Sequence, residues 1–253
     1  MPLDIVTVPC LSDNYAYLVH GPDGTALVDA PEAGPIIAAL DARGWSLDTI
    51  MITHHHHDHV GGVAELRDKY GCAVIGPAAE EDKLPKLSRS LTPGETGGTG
   101  EERFEVIAVP GHTLGHIAYH FPDAQAVFTA DSLMALGCGR IFEGTPEMMW
   151  ESLSRIMALP PETVVYSGHE YTKANAAFAT TIEPENQALM LRIEEIEAAR
   201  AKGRSTAQVP LSVELETNPF LRAGTESVKQ AVGMAEKSDP EVFAEVRARK
   251  DRF

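Results

Sequence analysis

The sequence predicts an α/β protein, with a layered αβ/βα domain over residues 1–170 followed by a small helical domain over 171–253. Three observations carry this expectation. Short apolar runs bounded by Gly, Pro, Asn and Asp alternate with stretches of helical apolar spacing as far as Glu170. Several of the strand-like runs close on His or Asp, and open α/β sheets place their ligand sites at the carboxyl ends of strands. From Tyr171 onward no strong strand pattern remains, only helical spacing with charge on one side.

The elements follow in order. Runs at 5–8, 15–19 and 25–29, parted by Ser12-Asp13-Asn14 and Gly21-Pro22-Asp23-Gly24, read as three strands of a β-meander. Residues 35–43 carry Ile36, Ile37 and Leu40 at helical spacing. A short buried strand at 49–52 leads into a dense histidine run, after which 60–70 reads as a helix with Val63, Leu66 and Tyr70 on one side. A strand at 73–75 precedes 77–100, which is rich in Gly, Pro and Thr and reads as a surface loop. Strands at 104–109, 117–121 and 126–129, a helix at 146–159 and a strand at 163–166 complete the layered domain. Beyond it, 172–181, 185–201, 225–237 and 240–250 read as helices, with Asn218-Pro219-Phe220-Leu221-Arg222 as a turn or packed extended segment.

Composition limits what this fold can serve. A length of 253 residues buries a sizeable core, and 43% hydrophobic with 23% charged residues is the balance of a globular protein. No apolar run is long enough for a membrane helix, and Met1-Pro2-Leu3-Asp4 lacks the basic start of a signal peptide, so no membrane association and a cytoplasmic location are expected. Cys10, Cys72 and Cys138 are odd in number and widely spaced, which predicts reduced thiols rather than a disulfide framework or a thiolate zinc site. The net charge of -16 argues against nucleic acid as a partner, since phosphate binding needs clustered Lys and Arg. A small anionic substrate held by a few local cations remains compatible with it.

The candidate chemistry centres on Thr53-His54-His55-His56-His57-Asp58-His59, which holds five of the 10 histidines. In extended backbone alternate side chains share a side, so His54, His56 and Asp58 are expected to converge while His55 and His57 point elsewhere. His59 turns toward the same centre from the start of the next helix. Neutral imidazole and carboxylate are ligands of zinc, manganese and non-haem iron, so this cluster predicts a metal site. Later strand ends add His112, Asp131 and His169, while His116 and His120 are expected to be ordinary histidines. A carboxylate such as Asp131 can bridge two ions, and these seven side chains with one bridge then complete two shells once a shared water is added.

Thr-His-x-His-x-Asp-His, a later Gly111-His112-Thr113, Asp131 at a strand end and the final Gly168-His169 resemble the metallo-β-lactamase superfamily. More narrowly the chain resembles glyoxalase II, the hydroxyacylglutathione hydrolases. That match rests on Phe128-Thr129-Ala130-Asp131-Ser132-Leu133, Gly137-Cys138-Gly139-Arg140, Phe142-Glu143-Gly144-Thr145, Gly168-His169-Glu170-Tyr171-Thr172, Asn218-Pro219-Phe220-Leu221-Arg222 and Arg247-Ala248-Arg249-Lys250-Asp251. The resemblance implies a four-layer αβ/βα metallo-β-lactamase-like sandwich followed by a helical substrate-binding domain. It implies two divalent metal ions, zinc first, with iron or manganese as alternatives. One ion would be held by His54, His56, His112 and Asp131, the other by Asp58, His59, Asp131 and His169. Arg140, Tyr171, Arg247 and Lys250 stand where relatives contact glutathione. Phe142 departs from the family, in which tyrosine is common, and lacks a hydroxyl that could add a hydrogen bond of about 0.5–1.5 kcal/mol.

The implied reaction is hydrolysis of S-2-hydroxyacylglutathione, such as S-D-lactoylglutathione, to glutathione and a 2-hydroxy carboxylate, the detoxifying step for methylglyoxal. Paired cations lower the pKa of a bridging water, so that hydroxide attacks the thioester carbonyl and no Ser or Cys nucleophile is required. Asp58 is a candidate for a second, catalytic role in orienting that water or carrying a proton. The partner is then a small-molecule glutathione thioester, and a monomer is expected. The rivals are a mononuclear iron dioxygenase acting on glutathione persulfide and a non-enzymatic metal- or thioester-binding protein.

Overall fold

The computed structural model describes residues 3–98 and 103–253. They fall into two compact units, Met1–Ala108 with Thr113–Thr129, and Val109–His112 with Ala130–Phe253.

The first unit contains two sheets. In one, β1 (Asp4–Cys10), β2 (Asn14–Gly21) and β3 (Gly24–Val28) form an antiparallel meander. Helix α1 (Ala33–Asp41) then crosses to β4 (Thr49–Met51), which pairs parallel with β3. Short α2 (His57–Val60) and α3 (Val63–Tyr70) lead to β5 (Ala73–Pro77), parallel to β4, and β6 (Arg89–Leu91) adds parallel to β5. In the other sheet β7 (Thr96–Gly97), β8 (Phe104–Ala108), β9 (Ile117–Phe121) and β10 (Ala126–Ala130) run antiparallel.

Both faces of the first sheet are covered, which explains its near-continuous apolar strands. Leu18, Leu27, Ile50 and Val74 meet Ile36 and Leu40 of α1 and Val63 and Leu66 of α3. On the opposite face Tyr17 packs on Phe128 of β10 at 5.5 Å, beside Phe121 and Tyr119. The Tyr119 hydroxyl donates to Ile52 O at 2.8 Å, fixing the second sheet to the backbone just ahead of the histidines.

The second unit begins with a hairpin, β11 (Leu133–Met134) and β12 (Gly137–Cys138). Helix α4 (Pro146–Met157) follows, with Pro at its first position and the Thr145 side chain accepting from Met148 N. Strand β13 (Val164–Ser167) leads to α5 (Thr172–Ile182) and α6 (Gln187–Arg200), which bury Ala176, Ala179, Leu189 and Ile196 around Leu136 of the hairpin. Then come β14 (Gln208–Pro210), antiparallel to β13, α7 (Leu211–Thr217), α8 (Glu226–Ala231) and α9 (Asp239–Arg252). Trp150 of α4 lies against Phe243 of α9, ring centroids 5.8 Å apart. Sheets with flanking helices and a helical C-terminal end make this an α/β sandwich with a helical C-terminal part.

Four expectations change. Residues 77–100 are not simply loop, because Ala78–Lys83 winds into a 3-10 helix and β6 and β7 pair with neighbours; such edge strands owe their form to pairing and leave no apolar alternation to read. The end of that stretch, 99–100, lies outside the described residues. The helix expected over 60–70 is broken at Gly61-Gly62, where a Cβ on Gly62 would meet Ala33 N at 2.8 Å, so the break is a close approach of two backbones. Beyond residue 171 β14 and α7 appear where neither was expected, and α8 is much shorter than 225–237.

All three cysteines are buried free thiols. Burial pushes Cys10 up to about 12, with the Glu32 charge adding, and pushes Cys138 to about 11 against the opposing Arg247 cation; Cys72 is also raised by burial. Among the described residues no helix is long and apolar enough to cross a membrane.

A buried polar network ties the hairpin to the helices. Glu214 accepts from Arg192, Leu136 N and Asn218 Nδ2, and Asn218 Nδ2 also reaches Gly137 O at 3.0 Å. Breaking a buried pair strands the remaining charge. Arg192→Met is expected to cost about 3–5 kcal/mol, measured as the loss of unfolding free energy in denaturant titration.

Candidate metal centre

Beyond β4 the chain leaves regular structure, so its backbone groups need other partners. Asp29, which follows β3 in the left-handed region at φ 57°, supplies one of them. Its Oδ1 accepts from Thr53 N, and its Oδ2 from Thr53 Oγ1 and His59 Nδ1, each at 2.8 Å. Thr53 Oγ1 in turn lies 3.0 Å from His54 Nδ1. His54 and His59 are buried, and the Nε2 atom of His54 faces His56 Nδ1 at 3.2 Å. Asp58 is held from β2, with Asn14 Nδ2 donating to its backbone oxygen and to Oδ2 at 3.1 and 3.0 Å. Its Oδ2 lies 3.8 Å from His59 Nε2.

His55 turns the other way. Its backbone N and its Nδ1 both go to Glu80 Oε2, at 2.8 and 2.9 Å, and His57 is exposed. Glu80 is itself buried and also accepts from Gly115 N and Thr113 Oγ1, which ties the histidine turn to residues 113–115. The His116 ring stacks on His54 at 4.5 Å and 11°.

The second unit brings three more donors together. The Nε2 atoms of His112 and His169 each lie 3.3 Å from the same oxygen, Asp131 Oδ2, and all three residues are buried. His112 Nδ1 donates to Arg140 O at 2.7 Å, which leaves Nε2 as a lone pair in the neutral ring. A lone pair facing a carboxylate at 3.3 Å is repulsive without a cation, and this distance is long for a charge-assisted hydrogen bond of about 2.7–2.9 Å. The residues therefore fit a cation.

The approach of these groups depends on Gly139. A Cβ there would meet Asp131 O at 1.8 Å and His112 Nδ1 at 3.1 Å. Nearby, Phe142 is exposed, its ring 5.2 Å from that of His112, and the half-exposed Tyr171 stacks on His169 at 4.7 Å.

The predicted cations gather around Asp251. Arg247 is buried, donating to Cys138 O at 3.0 Å and Asp251 Oδ1 at 2.8 Å, over the Phe220 ring. Arg140 is exposed with Nε 3.7 Å from the same Asp251 oxygen. Lys250 Nζ donates to Ala174 O at 3.0 Å between Phe178 and Phe253. Burial, helped by the neighbouring Arg247 charge, pulls Lys250 down to about 8.

Asp29, Thr53, Asn14 and Glu80 did not emerge from the sequence as site residues. Asp29 carried one signal, a carboxylate closing an apolar strand immediately before a turn. Glu80 carried none, because its partners are backbone groups and side chains 25 to 35 residues away.

The profile described as "Metallo-beta-lactamase superfamily" matches residues 11–169, and that described as "Hydroxyacylglutathione hydrolase C-terminus" matches 170–253. The chain is 58% identical to a hydroxyacylglutathione hydrolase of Cereibacter sphaeroides and 58% identical to one of Ruegeria pomeroyi, covering 100% of each chain in both pairs. The chain belongs to the hydroxyacylglutathione hydrolase family. Among solved structures, TTHA1623 in a di-iron-bound form is similar at 27% identity and TM-score 0.63, over 86% of this chain and 100% of that one. Family and donor chemistry together make this a divalent-metal site.

Gly139→Ala is expected to displace Asp131. Metal content measured on the purified variant should fall below that of the wild type, with hydrolytic activity reduced more than about tenfold, as for loss of groups that orient ligands.

Proposed function

We propose that the chain hydrolyses S-2-hydroxyacylglutathione, such as S-D-lactoylglutathione, with two divalent ions. His54, His56, His112 and Asp131 would hold one, and Asp58, His59, Asp131 and His169 the other. One observation carries the reading: a single buried oxygen, Asp131 Oδ2, is faced at 3.3 Å by both His112 and His169. A carboxylate flanked this way suits a bridge between two ions. The donors are imidazole and carboxylate with no thiolate, a set that favours zinc and accepts iron or manganese. The full-length identity to hydroxyacylglutathione hydrolases supports the substrate class.

Bound ions would supply Lewis acidity at the thioester carbonyl and an activated water at neutral pH. The chain's own groups do the rest. Asp58, anchored on one oxygen by Asn14, keeps carboxylate capacity to orient the attacking water and accept its proton. Water adds to the carbonyl carbon, the C–S bond breaks, and the sulfur leaves with the electron pair as glutathione thiolate. Residues 1–170 carry this chemistry and 171–253, together with Arg140, hold the glutathione moiety, a division supported by the break between the two family matches at 169/170. Arg140, Arg247 and Lys250 offer cations to the substrate carboxylates, and Tyr171 offers an exposed ring and hydroxyl beside His169. We place the protein in the cytoplasm, a reading supported by its three buried free thiols, and take it as a monomer.

The decisive assay is loss of thioester absorbance from S-D-lactoylglutathione, with metal counted on the same sample. Hydrolysis with about two metals per chain, abolished by chelation and restored by zinc, is the expected result. No hydrolysis by fully metallated protein overturns it. Asp58→Asn that keeps its metals is expected to lose about a hundredfold in kcat; full activity with full metal would leave Asp58 a ligand only.

Lys250, at about 8, is charged at pH 7 and loses its proton as pH rises. KM for the anionic substrate is therefore expected to climb above pH 8, by up to about tenfold at pH 9 as the charged fraction falls. Lys250→Met should start with the higher KM and show a flatter profile.

A further inference from the structure

The proton inventory around Asp29 reaches both halves of the histidine turn. Asp29 is buried at 2% exposure, and its carboxylate accepts three hydrogen bonds, all from that turn. An ionised carboxylate only accepts. Thr53 therefore gives its one hydroxyl proton to Asp29 Oδ2, and His59 carries a proton on Nδ1. Thr53 Oγ1 then has only lone pairs to offer His54 Nδ1, 3.0 Å away, so His54 also carries its proton on Nδ1. Both rings are fixed in the same tautomer, with the proton on Nδ1 and the lone pair on Nε2.

We propose that Asp29 is a shared positioning residue for both ion positions, acting on His59 directly and on His54 through the Thr53 hydroxyl, so that one carboxylate orients a ligand of each. The proposal rests on the two-ion reading above, in which His54 and His59 belong to different ligand sets. A partner on the second ring nitrogen sets a histidine's tautomer, orientation and basicity as a ligand, and its loss costs about 10–100-fold in metal affinity. Here that partner is common to two ligands. The sharing follows from position: Asp29 sits at the end of β3, beside parallel β4, and its left-handed φ of 57° comes as the chain turns off the strand. The next residue ties this turn to α2, since Ala30 N donates to His59 O at 2.8 Å. Asp29 touches no reacting atom in this reading.

The two branches are separable, because only the His54 branch runs through Thr53. Cobalt(II)-loaded wild type, Thr53→Val, Thr53→Ser and Asp29→Asn would be challenged with graded chelator, ion loss being read from ligand-field absorption and thermal midpoints recorded on the loaded proteins. Wild type is expected to hold two ions. Thr53→Val should weaken one of them about 10–100-fold and leave the other near wild type. Serine restores the hydroxyl and should restore the affinity, a rescue that a purely structural role of the threonine methyl would not produce. Asp29→Asn should weaken both ions together. Wild type holding fewer than two ions overturns the two-ion reading itself. With two ions held, unchanged affinities in Asp29→Asn, equal weakening of both ions in Thr53→Val, or no rescue by serine overturns the positioning role; if the Asp29 variant does not fold, the Thr53 pair decides alone.

Discussion

Two buried carboxylates, Asp29 and Glu80, determine the shape of the histidine turn. The turn leaves β4 without ladder partners, and unpaired backbone groups in a buried position are costly. Asp29 takes the Thr53 N–H and hydroxyl and the His59 ring; Glu80 takes the His55 N–H and its ring. Alternate residues are thereby pulled in opposite directions, which converts a plain succession of imidazoles into an inner face and an outer face. Each carboxylate is also satisfied by several donors, the condition under which a buried charge is tolerated. Glu80 adds reach, since its other oxygen holds Gly115 N and so positions the backbone that follows His112.

The second unit solves a similar problem by different means. Its donors stand on loops, and their placement depends on contact distances that only glycine permits, at Gly139 against Asp131 and at Gly111, whose φ of 144° lies beside Met149. The hairpin carrying Gly139 and Arg140 is held in turn by Asn218, Glu214 and the guanidinium of Arg247, which bonds Cys138 O. Helical residues late in the chain thus fix backbone that lies next to Asp131. Arg247 holds the hairpin through Cys138 O and pairs with Asp251, the same carboxylate that Arg140 approaches.

The sequence made the layered class and the cluster of candidate donors legible because both rest on local signals. Apolar runs buried on two faces remain visible as runs, and His54, His56, Asp58 and His59 sit within one turn. The helix break at Gly61-Gly62, the short strands β6, β7 and β14, and the roles of Asn14, Asp29 and Glu80 were not legible. Each depends on what lies opposite: a strand of two or three polar residues exists only through its neighbour, and a carboxylate 25 residues from its partner shows no spacing rule. His116 illustrates the same limit, since its stacking on His54 comes with the hydrogen bond from Ile117 N to Thr53 O rather than from its own surroundings in the chain.

The three thiols give the chain a chemical tolerance for its own substrate class. A thioester acylates thiolates, and glutathione exchanges through them, so a protein that handles both is exposed to capture on its own sulfur. With Cys138 at about 11 and Cys10 at about 12, the reactive anion is at most about one part in ten thousand at pH 7. Cys138 lies two residues from Arg140, yet its sulfur is buried beneath Arg247 and held as the neutral thiol. The fold therefore keeps nucleophilic sulfur out of the acyl-transfer chemistry, and the only thiol that takes part is the one the reaction releases.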